Sequence, residues 1–213
     1  MIRCLIADDH PIVRSGLRAL IQAQSDMAEP GEATTAAETL DRIRGDMWDL
    51  VILDINLPDA SGIEVLRRIR HLRPTLPVLI LSAHSEDQFA VRALRAGASG
   101  YLNKQTASDE LIDAIRRVLA GRRYVSTALA ERLAAALDPA ASDREPHEAL
   151  SDREFQVLRL IGAGRTVSEI ADSLSLSVKT VSTYRTRLLD KMGLRTTAEL
   201  AAYAIRAGLV DTA

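Results

Sequence analysis

Apolar residues follow two rhythms along this chain, and the change near residue 148 divides it. Before that point, short continuous apolar runs alternate with longer amphipathic ones. Ile2–Ala7, Leu50–Leu53 and Val78–Leu81 are near-continuous runs rich in branched residues, the pattern of strands buried on both faces. A weaker run at 29–34 contains Pro30, which permits only an edge strand. Ala98–Asn103 is a short fifth run. Between the runs, apolar residues recur at helical spacing. The first such stretch holds Ile12, Val13, Leu17, Leu20 and Ile21; the others are Ala36–Asp46, Ile63–Leu72, Glu86–Ala96 and Ser108–Leu119. Pro11 suits a first helical turn, Ser108 an N-cap, and Gly97 and Gly121 suit helix stops.

Five strands alternating with five helices call for a parallel sheet with helices on both faces. An edge-like second strand beside a central first strand fits the flavodoxin-like order 2-1-3-4-5. After residue 148 no strand signal remains. Ser151 with Glu154 reads as a capping box opening a helix that carries Phe155, Val157, Leu158 and Ile161. A short helix from Thr166 to Leu174, the turn Ser175-Leu176-Ser177, a longer helix Val178–Met192 and a last helix Thr197–Ala207 follow. Two helices joined by a turn of about three residues, the second longer and basic, form a helix-turn-helix candidate. The expected architecture is thus an α/β domain at 1–120 joined to an all-α four-helix domain at 148–213. The linker at 121–147 has a possible helix at 126–137, with Leu129, Leu133 and Leu137 on one stripe. That helix would pack on the first domain or serve dimerisation, and residues 140–147 read as a loose hinge.

Composition changes this picture little. Aromatics make up 3% of the chain, so both cores must be aliphatic. The single cysteine, Cys4, lies in an apolar strand and reads as a small buried hydrophobe. No run approaches the roughly 18 apolar residues of a membrane span, and the first residues read as a strand rather than a signal peptide. A soluble cytoplasmic protein with no membrane partner is expected.

The polar residues matter more, because chemistry on such sheets sits beyond the carboxyl ends of the strands. Asp8-Asp9 end strand one, Asp54 ends strand three, Ser82 ends strand four and Lys104 follows strand five. Three carboxylates at one edge repel one another unless a cation is present, and an all-oxygen set with few ligands suits Mg²⁺. A carboxylate nucleophile beside a divalent metal, with a lysine and a hydroxyl nearby, is the equipment for forming an aspartyl phosphate.

On these residues, 1–120 resembles the receiver domain of two-component response regulators. The resemblance implies that Asp54 is the phosphoacceptor and that Lys104 and Ser82 hold the phosphoryl group. It implies that Tyr101 is a switch residue turning inward as Ser82 moves. It also implies an Mg²⁺ site of Asp9, Asp8 (mainly through water), Asp54 and the Asn56 backbone carbonyl. Asn56 and His84 fall where the family tunes phosphoryl lifetime; His10 and His84 read as non-catalytic. Pro30, Asn103 and Gln105 depart from the family pattern and put the geometry around Lys104 in question.

Charge is informative only locally. The net charge is −2, but within 177–195 five basic residues face one acid, Asp190, a modest footprint for phosphate. On the helix 178–192, Val178, Val181, Leu188 and Met192 make one stripe, expected to be buried. Lys179, Ser182, Thr183, Thr186 and Arg187 make the other. The segment 148–210 resembles the LuxR-type output domain of NarL/FixJ-class response regulators. That implies base contacts from Ser182, Thr183 and Thr186, and backbone contacts mainly from Lys179, Tyr184, Arg185 and Arg187. The expected function is a phosphorylation-controlled transcriptional regulator. It would not be an enzyme beyond its own Mg²⁺-dependent phosphorylation and dephosphorylation. Its partners would be a sensor histidine kinase, promoter DNA and, when phosphorylated, a second copy of itself. The alternative is a DNA-binding protein whose receiver is a phosphorylation-independent interaction module. A haloacid dehalogenase-type phosphatase would need a second aspartate where Asn56 stands.

Overall fold

The computed structural model describes residues 1–83, 86–126, 129–131 and 145–210. The chain forms two compact units, Met1–Ala136 and Leu137–Ala213. In the first unit β1 (Cys4–Ala7), α1 (Pro11–Gln22), β2 (Gly31–Ala33), α2 (Ala36–Gly45), β3 (Leu50–Asp54), α3 (Gly62–Leu72), β4 (Val78–Ser82), α4 (Glu86–Arg95), β5 (Gly100–Asn103) and α5 (Ala107–Leu119) follow in order. The strands form one parallel sheet in the order β2-β1-β3-β4-β5, as the alternation of runs predicts. Strand β2 is cut to three residues and begins just after Pro30, since proline has no N–H for the ladder.

The sheet is buried because its strands are apolar on both sides. Cys4, Ile6, Leu50, Ile52, Leu79, Leu81 and Leu102 pack with Leu17 and Ile21 of α1 and with Leu111, Ile115 and Val118 of α5. Strand alternation sends Leu5, Val51, Leu53, Ile80 and Tyr101 to the opposite face, and all five are buried. Each such side chain contributes about 1.5–3 kcal/mol of transfer free energy. Burial, with Asp49 adding to it, pushes the Cys4 thiol up to about 12, so it is an inert core residue.

Local signals set the helix ends. Thr35 caps α2 by accepting from the Glu38 N–H. Asp59 accepts from Ala36 N at 2.7 Å and Ala37 N at 3.0 Å, so the loop after β3 is tied to a helix N-terminus that favours negative charge. Gly97, at φ +101°, turns the chain from α4 toward β5, and its carbonyl accepts from Arg70 Nε at 2.8 Å. Three expectations need correction. Ser108 does not cap α5: Thr106 is the N-cap residue and makes no side-chain cap bond, while Ser108 Oγ meets Asp109 Oδ1 inside the first turn. Ile12 follows the helical spacing of α1 but is exposed, because α1 starts beyond the sheet edge. Tyr124, placed by sequence in the linker, pairs with β5: Tyr101 N donates to Tyr124 O at 2.9 Å and Tyr124 N to Ser99 O at 3.1 Å. Ser126 accepts from Leu129 N at the start of a helical turn at 129–131; the rest of the expected 126–137 helix, like His84, lies outside the described residues.

The second unit holds a 3₁₀ turn (Pro146–Ala149), then α6 (Asp152–Gly162), α7 (Val167–Ser173), α8 (Val178–Met192) and α9 (Thr197–Arg206). Pro146 opens the 3₁₀ turn where a loose hinge was expected, and His147 Nδ1 lies 2.8 Å from the Tyr203 hydroxyl. Capping boxes open α6 (Ser151, Glu154), α7 (Thr166, Glu169) and α9 (Thr196, Glu199). Phe155, Leu158, Ile170, Val181, Leu188 and Leu200 form the unit's apolar core, aliphatic but for the one phenylalanine. Gly162 has no Cβ, and one added there would lie 2.6 Å from Ala204 Cβ, so α6 and α9 pack at close range.

Candidate functional site

The carboxyl edge of the sheet gathers the residues that the sequence places there. Strand β1 delivers Asp8, Asp9 and His10, β3 delivers Asp54, β4 delivers Ser82, and the turn after β5 delivers Lys104. Asp8 and Asp54 are 1% exposed and Ser82 is fully buried. Lys104 Nζ lies 2.7 Å from Asp54 Oδ2 and 2.7 Å from Asp8 Oδ2, so one ammonium bridges two buried carboxylates. Asp54 Oδ1 accepts from Asn56 N at 3.1 Å, which fixes the carboxylate plane. Arg14 Nη1 donates to the Asp8 carbonyl at 2.8 Å and pairs through Nε with Glu32 at 3.0 Å, holding the end of β1 against α1.

The turn that places Lys104 has its own support. Lys104 N donates to the Ser82 carbonyl at 2.8 Å, and Gln105 N donates to Asn103 Oδ1 at 2.8 Å. Asn103, a departure from the family pattern, thus makes the turn with its side chain. Tyr101, on β5 beside this turn, is wholly buried.

Two contributors were not legible in advance. His10 Nδ1 lies 2.6 Å from Asp9 Oδ1, 3.1 Å from Asp8 Oδ1 and 3.9 Å from Asp54 Oδ2. Ligand atoms of Asp8, Asp9, His10 and Asp54 all fall within 4.8 Å of one another, so His10 belongs to the cluster; its place directly after the acidic pair was the available signal. Gly62 is the other. A Cβ there would come within 2.1 Å of the Asp54 carbonyl oxygen, so only glycine lets α3 start against the end of β3.

The electrostatics follow from burial. Asp54 is pushed up to about 6, first by burial, with Lys104 opposing and Asp8 adding to the rise. Lys104 is raised: burial lowers it, but Asp54 and Asp8 outweigh that. Asp8 Oδ2 and Asp9 Oδ1 are buried without a hydrogen bond of good geometry; Lys104 Nζ lies 2.7 Å from the first and His10 Nδ1 2.6 Å from the second. Oxygen atoms left in this condition suit a hard divalent cation.

In the second unit, α8 is capped by Ser177, which accepts from Thr180 N at 3.0 Å, and is stopped by Gly193 at φ +65°. Val181 and Leu188 are buried as predicted. Val178 is 52% exposed and Met192 half-buried: the apolar stripe drifts off the core at the helix ends. Lys179, Thr183, Thr186 and Arg187 are exposed, with Asp190 on the same side one turn on; Ser182, Tyr184 and Arg185 are half-buried. Glu154 of α6 pairs with Lys191 of α8 at 2.7 Å.

A doubly wound parallel sheet with a lysine-bridged carboxylate cluster at its carboxyl edge, followed by a helix-turn-helix unit, defines a receiver coupled to a DNA-binding output domain. Residues 4–116 match the response regulator receiver domain, and residues 148–204 match the luxR family of bacterial regulatory proteins. The chain belongs to the response regulators of the NarL/FixJ (LuxR) class. It is 35% identical to the response regulator GacA of Pseudomonas aeruginosa over the full length of both. It is 34% identical to the response regulator UvrY of Escherichia coli K12, over 99% of this chain and 97% of that one. Among solved structures, the RcsB response regulator of Salmonella typhimurium aligns with a TM-score of 0.62 at 25% identity, covering 95% of this chain and 98% of that one. The protein is a DNA-binding transcription regulator and not a classical enzyme. No helix among the described residues is long and apolar enough to cross a membrane.

Proposed function

We propose that Asp54 accepts a phosphoryl group from a sensor histidine kinase or a small phosphodonor, and that this controls promoter binding through α8. The observation that carries the proposal is Lys104 Nζ at 2.7 Å from both Asp54 Oδ2 and Asp8 Oδ2, inside a four-residue ligand cluster. Asp8, Asp9, Asp54 and the Asn56 carbonyl are suited to hold Mg²⁺, which when bound neutralises charge on the incoming phosphoryl group. One ionised Asp54 oxygen attacks phosphorus, the new O–P bond forms, and the bond to the donor breaks. Lys104 then exchanges its carboxylate partner for a phosphoryl oxygen, and the Ser82 hydroxyl donates to another. Both groups sit at the ends of β4 and β5, so their movement reaches Tyr101 and biases a two-state element.

The functional boundaries proposed are a receiver at 1–120, a connector at 121–147 and an output domain at 148–213, acting in the cytoplasm, where promoter DNA is met. Lys179, Tyr184, Arg185 and Arg187 would contact the DNA backbone, and Ser182, Thr183 and Thr186 the bases. Phosphorylation would favour a homodimer whose two recognition helices meet half-sites about one helical turn apart. The test is the full chain with Mg²⁺, with and without acetyl phosphate, beside Asp54→Asn, followed by intact mass, light scattering and promoter binding. The expected result is one phosphoryl group gained, a shift to dimer and tighter DNA binding, none of it in the variant. Phosphorylation without change in dimerisation or DNA binding would overturn the control and leave a receiver that acts as an interaction module.

A further inference from the structure

The outward face of α8 carries two threonines whose hydroxyl protons are already used. Thr183 Oγ1 donates to the Lys179 carbonyl at 3.0 Å, and Thr186 Oγ1 to the Ser182 carbonyl at 3.1 Å. Both residues are exposed. A helical threonine that bonds back to the i−4 carbonyl satisfies its donor within the helix. What it then offers a partner is a methyl group and an acceptor oxygen. Ser182 differs: its hydroxyl has no hydrogen-bond partner among the described residues and remains free to donate.

These facts translate into a base preference. In the major groove guanine presents only acceptors, N7 and O6, while thymine presents O4 and its C5 methyl, and adenine adds an N6 donor. A back-bonded threonine has nothing to give guanine. It has an apolar surface for the thymine methyl and an acceptor for the adenine amino group, so it favours A·T pairs. The two residues lie three apart, about 4.5 Å along the helix axis, little more than one base step of about 3.4 Å. Their positions on the helix surface differ by about 60°, so both reach the same stretch of groove. Lys179 is the one cation centred on this face, and it lies one turn nearer the helix N-terminus. Arg187 stands at the margin, and Arg185 is half-buried.

We propose that Thr183 and Thr186 are specificity residues that read thymine C5 methyl groups at neighbouring base steps. Any guanine contact from these three base-facing residues is left to Ser182. This rests on the reading of α8 as the recognition helix.

The experiment selects a binding duplex from a randomised library with the full chain, phosphorylated if binding requires it. Each thymine of the selected site is then replaced in turn by deoxyuridine, which removes only the C5 methyl. The expected result is a loss of roughly fourfold in affinity at two neighbouring steps, the value of one buried methyl. Thr183→Ser and Thr186→Ser, which keep the hydroxyl and lose the methyl, should each abolish the uracil effect at one of those steps. Thr183→Val and Thr186→Val should retain it. Wild-type binding that ignores uracil at every position overturns the proposal, as does guanine at both steps read by these residues, or loss of base preference in the valine variants. A separate arm tests the reading beneath it. If the double variant Lys179→Ala, Arg187→Ala binds the duplex as well as wild type, α8 is not the element on DNA and both readings fall.

Discussion

At the scale of single residues, the carboxyl edge is a problem in charge, and Asp54 is where it concentrates. Its folded pKa of about 6 stands above the ordinary value of 3.8 because burial and Asp8 outweigh Lys104. A raised carboxyl favours folding when protonated. That contribution is complete below about pH 4 and is lost as pH rises through about 6. In the presence of a chelator, Trp48 fluorescence should report a first unit that loses roughly 2–3 kcal/mol of stability across that window. Asp54→Asn should lack this loss and melt higher than wild type at neutral pH. A wild-type curve parallel to that of the variant would show that Asp54 is not strained by its surroundings. The buried site therefore gives up folding stability to keep Asp54 ionised at neutral pH, a trade that functional centres commonly make.

At the scale of elements, the helix-turn-helix unit is held by caps and by one ion pair that bridges α6 and α8. Glu154 is almost fully buried. Burial raises its pKa, but the Lys191 hydrogen bond and the Ser151 N–H outweigh it, and the net shift is downward. The sign is opposite to that at Asp54. The stabilisation is present above the ordinary value of 4.5 and is lost as pH falls through the depressed folded pKa. Glu154→Gln keeps a capping-box acceptor at that position and removes the charge. Amide protection factors in α6, taken relative to the intrinsic exchange rate at each pH, should fall on acidification in wild type and hardly change in Glu154→Gln. Protection that responds to acid equally in both would remove the pair from the account. The elements were largely legible in sequence, because a buried parallel strand and an amphipathic helix leave different apolar rhythms. The errors lie where that rhythm stops deciding. Val178 has the spacing of a core residue, but it sits in a first turn that outruns the core. Ser108 is a plausible cap, but Asn103 and Thr106 set the turn ahead of it. The three aspartates, Ser82 and Lys104 were legible because strand ends share an edge. His10 and Gly62 were not, since their roles come from distances across the fold.

At the scale of the whole molecule, the sheet of the first unit is not finished when α5 ends. After α5 the chain returns to the sheet and lays Tyr124 along the outer side of β5, where it bonds to Ser99 and Tyr101 on either side of Gly100. Gly100 is what permits this, since a Cβ there would lie 2.8 Å from the Tyr124 carbonyl oxygen. The Tyr124 hydroxyl donates to Glu110 at 2.7 Å, and its phenol is pushed up to about 12 by burial and then by Glu110. A chain cut after Ala120 should leave the Ser99 carbonyl and the Tyr101 N–H open at a strand edge, the kind that pairs with other chains. It should scatter light at concentrations where a chain cut after Ser126 stays monodisperse; equal behaviour would show that the contact protects nothing. The same seam limits how evolution or an engineer can recombine this protein. An output domain grafted directly onto α5 would inherit an unsealed receiver, so a functional chimera has to carry the six residues beyond Ala120 as part of its input half and place its junction after them.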